Sequence, residues 1–210
     1  MKLVAASLAL CVCSCAIFQR PLRVPETDDA AVIVASTSMP EPISDIARHA
    51  WFAVKKRGDK RWHRIEVGGF GSGPLKGVKN IEVHGVWTGE KAARAIKCLY
   101  EHAGAARPRG EYLPWPGPNS NTFVDVLMRK CDLHANLPAT NIGKHYRGLI
   151  GVSWTSGGTG FQIETPLFGF RIGLTEGIEI HILGLALGID LWPPAIIVPL
   201  RGGRIGFGDR

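Results

Sequence analysis

The chain has 210 residues, of which 45% are hydrophobic, enough for one buried core with a tail to spare. Its 26 glycines and 14 prolines favour many turns and short strands over a helical bundle. The net charge is +7, but neither an aromatic-interleaved basic groove nor a known nucleic-acid motif accompanies it. We therefore expect no nucleic-acid partner.

The positive charge is concentrated in one short part of the chain. Seven of the Lys and Arg residues, and a single acid, Asp59, lie between residues 48 and 64. This segment is either the solvated tip of a hairpin around Arg57-Gly58-Asp59 or a contact for an anionic surface, such as a membrane or a cell-wall polymer. The sequence leaves both interpretations open.

Residues 1–15 have the pattern of an export signal. One Lys precedes an apolar run that is too short to cross a bilayer, which indicates a signal peptide rather than a membrane helix. The run ends in Val12-Cys13-Ser14-Cys15, which resembles a bacterial lipobox and would make Cys15 the lipidated first residue of the mature protein. Secretion with cleavage near Ala16 and an uncleaved N-terminal anchor are the alternatives. We expect a protein on the periplasmic side of the bacterial envelope, anchored to a membrane by lipid.

The next segments are a predicted tether and a predicted hairpin. Residues 16–47 contain four prolines, several Ser and Thr and an acidic pair, which predicts a flexible tether in which only Val32-Ile33-Val34 resembles a short packed strand. Residues 49–57 and 61–68 are predicted to pair across the turn at Gly58-Asp59, and residues 79–87 to form a third strand.

Two helices are expected next. Thr88 is a suitable N-cap for a helix over residues 89–103, in which small and aliphatic side chains recur at helical spacing. A loop that ends at Pro118 leads into a second helix over residues 120–133. The predicted buried stripe of this second helix consists of Phe123, Val126, Leu127 and Cys131.

From Leu149 onward, short apolar segments separated by Gly and Pro predict a β region. The predicted strands are 149–154, 161–165, 168–174, 178–187 and 195–200. No internal repeat is visible. The elements together predict the α+β class, with an antiparallel sheet, two main helices and an extended C-terminal β section, in a single domain over residues 48–210.

Cys98 and Cys131 remain in the mature chain, one on each predicted helix. In an oxidising compartment they could form a disulfide; otherwise both are small buried residues. The sequence does not decide between these alternatives.

The segment Pro116–Phe123 places a hydroxyl, that of Ser120, at the start of the second helix. Ser is among the best N-cap residues, so a structural role is the simplest interpretation, and Asn119 or Asn121 could cap the helix instead. The same position surrounds Ser120 with unpaired backbone N–H groups at the positive end of the helix dipole, where a nucleophile could act. A Ser nucleophile needs a base, so this interpretation requires a His within hydrogen-bond reach.

Seven histidines are available for such a role. None is paired with another ligand at metal-site spacing, because no His-x-x-x-His occurs on a predicted helix and no Cys pair has zinc-site spacing. A Gly-x-Ser-x-Gly elbow is also absent, which excludes the α/β-hydrolase arrangement. The sequence therefore predicts no metal site and no cofactor.

Three ordered motifs carry a resemblance to a known family: Pro116–Phe123, Leu137–Lys144 and Ser156–Gly160. In this order they resemble an uncharacterised bacterial family, domain of unknown function 3750. The resemblance runs from about His49 to the C-terminus. It brings no established activity with it.

The segment Asn119-Ser120-Asn121-Thr122-Phe123 also resembles the Asn-Cys-Asn-x-Phe signature of circularly permuted papain-like proteins. These include NlpC-type peptidases, desumoylating peptidases and lecithin-retinol-acyltransferase-like proteins. The resemblance implies a permuted papain-like core, in which Ser120 corresponds by position to the nucleophile, His49 to the base, and Glu66 or His63 to a polar partner. Because Ser replaces Cys and cannot supply a low-pKa thiolate, the site is either a Ser–His variant or a groove that has lost catalysis.

The polar residues around this helix start are expected to bind a substrate. They are Asn119, Asn121, Lys144, Thr155 and Ser156. The leading hypothesis is a Ser–His hydrolase or acyltransferase that acts on amide or ester bonds of envelope components, such as cell-wall peptides or lipids. The rival is a catalytically inactive lipoprotein that uses the same groove for binding or as structure. Whether the protein is an enzyme stays open, and no oligomeric state is predicted.

Overall fold

The N-terminal half of the chain forms a first antiparallel sheet. The computed structural model describes residues 26–67, 80–108, 110, 112–199 and 203–207. The strands of the first sheet are β1 Ala31–Ser38, β2 Arg48–Lys55, β3 His63–Ile65 and β4 Ile81–Thr88. Their order is β3-β2-β1-β4, and each neighbouring pair is antiparallel. The predicted hairpin is therefore present, with Phe52 opposite Ile65.

Strand β1 lies at the centre of this sheet, paired with β2 on one side and β4 on the other. Its residues 31–35 are completely buried. The short strand expected at Val32-Ile33-Val34 lies within β1, but β1 is longer than expected, so residues 31–38 are a strand of the domain rather than tether. An apolar run that is buried on both faces shows no alternation, and its Pro- and Ser-rich flanks concealed a central strand.

Two helices, α1 Gly89–Ala106 and α2 Ser120–Lys130, follow the first sheet. Both pack on the sheet face that carries Ala50, Phe52 and Val54. Trp51 and Ala53, which alternate with those residues along β2, belong to a separate cluster on the other face. On α2 the fully buried apolar side chains are Phe123, Val124, Leu127 and Met128.

A disulfide joins the two helices. Cys98 of α1 is bonded to Cys131, which follows α2, with their Cα atoms 5.7 Å apart. Of the two alternatives that the sequence left open, the structure has the disulfide.

The described C-terminal residues form a second sheet of seven strands. They are β5 Gly151–Trp154, β6 Gly160–Glu164, β7 Phe168–Gly173, β8 Gly177–Ile182, β9 Leu185–Leu191, β10 Pro194–Ile197 and β11 Arg204–Gly206. Each strand pairs antiparallel with the next in chain order. The single strand predicted over residues 178–187 is wrong, because the chain turns back at Leu183 and Gly184, which both have positive φ.

One face of the second sheet, which we call the outer face, is apolar throughout its described strands. Cross-strand partners share a face, so the pairing fixes which residues belong to it. The outer face consists of Val152, Trp154, Phe161, Ile163, Phe168, Phe170, Ile172, Ile178, Ile180, Ile182, Leu185, Leu187, Ile189, Leu191, Pro194, Ile196 and Ile205. Most of these side chains are exposed.

The opposite face, the inner face, carries charged and polar side chains that are buried. They include Gln162, Glu164, Arg171, Glu179, His181 and Asp190. The inner face packs on α2 and on residues 133–148: Arg129 Nη2 donates to Gln162 Oε1 at 2.9 Å, and Arg171 Nη1 donates to Asn136 Oδ1 at 3.2 Å. The usual arrangement of apolar residues inside and polar residues outside is thus reversed in this sheet.

The predicted class is confirmed at the level of mixed α and β structure with antiparallel sheets and two helices. Among the described residues, neither helix combines the length and the apolar character that a membrane-spanning helix requires.

Candidate functional site

The start of α2 is capped by Asn119, not by Ser120. The Asn119 side-chain oxygen accepts hydrogen bonds from the backbone N–H groups of Asn121 and Thr122, and Thr122 Oγ1 accepts from the Asn119 N–H. This is a capping box, which satisfies the first N–H groups of the helix. The Asn119 Nδ2 group donates to the carbonyls of Pro114 and Ile142 at 2.9 and 3.0 Å.

Asn121 attaches the start of α2 to the edge of the first sheet. Beyond the end of β3, the Ala50 N–H of β2 donates to Asn121 Oδ1 and the Asn121 Nδ2 group donates to the Arg48 carbonyl, each at 2.9 Å. Nδ2 also donates to the Ile142 carbonyl, and Asn141 Nδ2 donates to Oδ1. The Asn121 amide therefore makes all the hydrogen bonds that its two donors and two lone pairs allow.

His49 of β2 meets Glu66, the residue that follows β3, and not His63, the other residue that the papain-like resemblance offered as a polar partner. His49 Nε2 is 2.9 Å from Glu66 Oε2, and both side chains are 5% exposed. Arg64 donates to the other Glu66 oxygen, Oε1, at 2.6 Å. Burial raises the pKa of Glu66, but the hydrogen bonds from His49 and Arg64 outweigh it and hold the pKa below its usual value.

Ser120 and His49 are not hydrogen-bonded to each other in the described structure. Ser120 is buried, and its backbone N–H donates to Tyr112 Oη at 3.4 Å. Along β2, His49 alternates with Ala50 and Phe52, which face the helices, so its side chain lies on the face of Trp51. The start of α2 approaches this strand through Asn121, not through Ser120.

The other predicted substrate-binding residues are dispersed. Lys144 is buried and its Nζ donates to the Leu137 carbonyl; burial lowers its pKa to about 8. Thr155 and Ser156 belong to the turn between β5 and β6, where Thr155 Oγ1 accepts from the Gly160 N–H at 3.0 Å. Cys15 and the predicted leader lie outside the described residues.

A second group of titratable side chains meets between the inner face and residues 133–148. His181 of β8 has Nδ1 2.6 Å from Glu164 Oε1 and Nε2 3.2 Å from Glu179 Oε2. Arg171 donates to Glu179 Oε1. Burial raises the pKa of Glu179, but the charge of Arg171 outweighs it and holds the pKa far below its usual value.

His145 lies against this group. Its ring is stacked on that of His181, with centroids 3.6 Å apart, and neither ring nitrogen makes a hydrogen bond. Burial and the neighbouring His181 lower the pKa of His145 well below its usual value. His145 and Glu164 line a small cleft together with Pro116, Tyr146 and Gly184.

Sequence reasoning missed this group and predicted no metal site. The pairing of β6, β7 and β8 aligns Glu164 with His181, and the segment between α2 and β5 adds His145, so no local spacing reveals the three together. One signal was available, since Glu179 and His181 alternate with Ile178, Ile180 and Ile182 on the predicted strand. Charged residues on one face of an apolar strand indicate that this face has polar partners.

Comparison with known proteins finds a family match. A family model described as "Protein of unknown function (DUF3750)" matches residues 29–146, which include β1 and end at the residue after His145. A search of curated proteins and a search of solved structures each found no match. Since the family model covers more than half of the chain, the protein belongs to this family of unknown function, domain of unknown function 3750.

Proposed function

We propose that this protein is a lipid-anchored component of the bacterial cell envelope that lies against a membrane through its outer face and acts by binding rather than by catalysis at Ser120. The observation that carries the proposal is the outer face, on which every side chain of the described strands is apolar. A monomeric soluble protein rarely exposes a contiguous apolar patch of more than about a few hundred Å².

The composition of the outer face favours lipid over a protein partner. Homodimer interfaces are only about 65% apolar and have polar rims. The outer face has no polar or charged side chain on its described strands, as expected for contact with hydrocarbon. The charged groups of this sheet are all directed inward, where Arg171 and Glu179 pair with each other.

The tryptophans of the second sheet also favour contact with lipid. Trp154 precedes the β5–β6 turn and Trp192 lies in the β9–β10 turn, and they are 73% and 80% exposed. Alternate turns of an antiparallel meander lie at the same end, so both indoles are at one end of the sheet. Trp is enriched where a protein meets the membrane–water interface. The expected lipid on Cys15 would hold the chain at such a surface.

A flotation experiment tests the membrane contact without the anchor. The chain from residue 26 onward, which lacks the predicted leader, is mixed with phospholipid vesicles and centrifuged through a density gradient. We expect it to float with the vesicles, and we expect Ile180→Lys at the centre of the outer face to abolish flotation. Val86→Lys is the matched control, because Val86 is 44% exposed and Ile180 43%, but Val86 lies on the first sheet.

Two results would contradict this proposal. One is an unmodified chain that stays at the bottom of the gradient. The other is a stable dimer in light scattering that Ile180→Lys dissociates, which would assign the outer face to a second copy of the chain. For the anchor itself, the mass of the membrane-extracted protein should correspond to a lipidated chain that begins at Cys15.

The helix start supports a binding role rather than catalysis at Ser120. Asn119 and Asn121 use their amide groups within the protein, and Ser120 and His49 share no hydrogen bond in the described structure. We therefore expect a serine-reactive probe to give no labelling that depends on Ser120. Equal labelling of the native protein and of Ser120→Ala is the expected result.

A second candidate is the Ser–His hydrolase or acyltransferase with a permuted papain-like core. The bond between His49 and Glu66, at 2.9 Å, favours it, because a base held by a carboxylate on the next strand is what that resemblance implies. Labelling that disappears in both Ser120→Ala and His49→Ala would establish this candidate and exclude the binding role.

A further inference from the structure

We propose that His145, Glu164 and His181 form a binding site for a divalent first-row transition-metal ion, with Zn²⁺ as the ion to test. His145 comes from the segment between α2 and β5, Glu164 from β6 and His181 from β8. One ligand atom from each lies within 4.8 Å of the other two, and all three side chains are buried. Two imidazoles and one carboxylate form a donor set that binds zinc in many proteins.

His145 supplies the observation that points to a ligand. Its side chain is 6% exposed and both of its ring nitrogens lack a hydrogen bond. A buried polar group without a partner costs free energy, because it has lost water and gained nothing in exchange. An ion bound to one of these nitrogens would provide the missing interaction.

His181 has a carboxylate on its second ring nitrogen, as a metal-binding histidine usually has. A ligating imidazole commonly directs its other nitrogen to a carboxylate, which fixes the orientation of the ring. If the nitrogen beside Glu164 binds the ion, the other nitrogen donates to Glu179 at 3.2 Å. Arg171 in turn holds Glu179. Glu179 and Arg171 would therefore hold the His181 ring in place as it binds the ion.

The ligand atoms need only small shifts to hold an ion. Tetrahedral zinc with ligands at about 2.0–2.1 Å requires neighbouring ligand atoms to be about 3.3 Å apart. The separations from Glu164 Oε1 are 2.6 Å to His181 Nδ1 and 3.8 Å to His145 Nδ1. The His145 ring must also rotate out of its stack on His181, and no hydrogen bond of that ring opposes the rotation.

A small cleft reaches two of the three proposed ligands. His145 and Glu164 line it beside Pro116, Gly143 and Tyr146. Three protein ligands with a fourth position open to water are typical of zinc sites that react with or bind a further ligand. The same site could thus bind an anionic or carbonyl-containing ligand through the metal ion.

Equilibrium dialysis of the full chain against Zn²⁺, followed by metal analysis, tests the proposal. We expect about one bound equivalent in the unmodified protein. His145→Ala, which removes a side chain without hydrogen bonds, and Glu164→Gln should each lose it. His63→Ala is the matched control, because His63 is an exposed histidine on β3, and it should retain the zinc.

A second measurement makes the result independent of any activity. Co²⁺ bound in place of Zn²⁺ should give the visible absorption of a tetrahedral site in the unmodified protein and in His63→Ala, but not in His145→Ala. Circular dichroism verifies that the variants are folded. Absence of bound zinc in the unmodified protein, or zinc that remains in folded His145→Ala, would overturn the proposal.

Discussion

The side chain of Asn121 joins three parts of the structure: the start of α2, the edge of β2 and the turn at Ile142. Asn121→Ala would leave the Ala50 N–H and the Arg48 carbonyl without partners in a buried place. Each such group costs about 1–3 kcal/mol, so we expect the free energy of unfolding to fall by about 3–5 kcal/mol. Urea denaturation followed by Trp fluorescence measures the change.

Ser120→Ala is the matched comparison for Asn121→Ala, because Ser120 is the adjacent residue and is equally buried. Its side chain makes no hydrogen bond within the described structure, so we expect a loss of only about 0.5–1 kcal/mol. A loss for Ser120→Ala as large as for Asn121→Ala would contradict the view that the asparagine, not the serine, organises this helix start.

His84 gives the stability a defined pH dependence. Burial lowers the pKa of His84 to about 3, and the positive charges of Arg48 and Lys144 act in the same direction. His84 Nε2 is 2.8 Å from Ser36 Oγ, and Nδ1 is 4.0 Å from Glu82 Oε1. An unfolded His titrates near 6.5, so between about pH 6.5 and 3 the unfolded chain binds a proton that the folded protein does not. Stability is therefore expected to fall as the pH drops.

The expected contribution of His84 is about 2 kcal/mol between pH 7 and pH 5. Thermal unfolding at several pH values measures it, with His84→Gln for comparison. The unmodified protein should lose stability more steeply than this variant on acidification, whereas His63→Gln, at an exposed position, should behave like the unmodified protein. Identical slopes for the unmodified protein and His84→Gln would rule out this role.

At the level of elements, the disulfide between α1 and α2 closes a loop with a sequence separation of 33 residues. A cross-link over a loop of this length restricts the unfolded chain and stabilises the protein by about 3–4 kcal/mol. We expect the double variant Cys98→Ser/Cys131→Ser to lose about this amount in urea denaturation. A reducing agent should lower the stability of the unmodified protein and leave that of the double variant unchanged; an equal response of both would contradict the cross-link.

The elements differ in how far the sequence could predict them. The hairpin of β2 and β3 and the helix α1 have local signals, namely alternation, a Gly turn and helical spacing, and they were predicted within a few residues. Of strand β1 the sequence indicated only Val32-Ile33-Val34 as a short packed strand, because the strand is apolar on both faces and its partners lie elsewhere in the chain. The turn at Leu183-Gly184 was missed because Leu183 adopts a left-handed conformation that is rare for its residue type.

The candidate sites show the same limit. The sequence indicated the helix start at Asn119–Asn121, since a capping signal is readable locally, whereas His49 with Glu66 or His63 was implied only by the papain-like resemblance. It did not indicate that His145 and His181 are stacked. That contact depends on the order of seven strands and on the position of residues 133–148, and no single segment of sequence specifies either.

In the whole molecule, β1, the first of the described strands, is an interior strand of the first sheet. Strand β1 supplies the hydrogen-bond partners of both β2 and β4. We expect a chain that starts at residue 26 to unfold cooperatively, and a chain that starts at residue 39 not to fold. Circular dichroism during urea denaturation distinguishes the two. A cooperative transition in the chain from residue 39 would mean that residues 26–38 are a tether after all.

The reversed second sheet, with its apolar face outward, also determines which substitutions its positions tolerate in evolution. On the outer face, Ile, Leu, Val and Phe provide similar apolar surface, so exchanges among them at positions such as Ile180 or Leu187 should be neutral, and only a charge should be harmful. On the inner face, Arg171, Glu179 and His181 hold one another, so a change at one requires a compensating change at another. Relatives of this protein should therefore vary freely along one side of each strand and in correlated groups along the other.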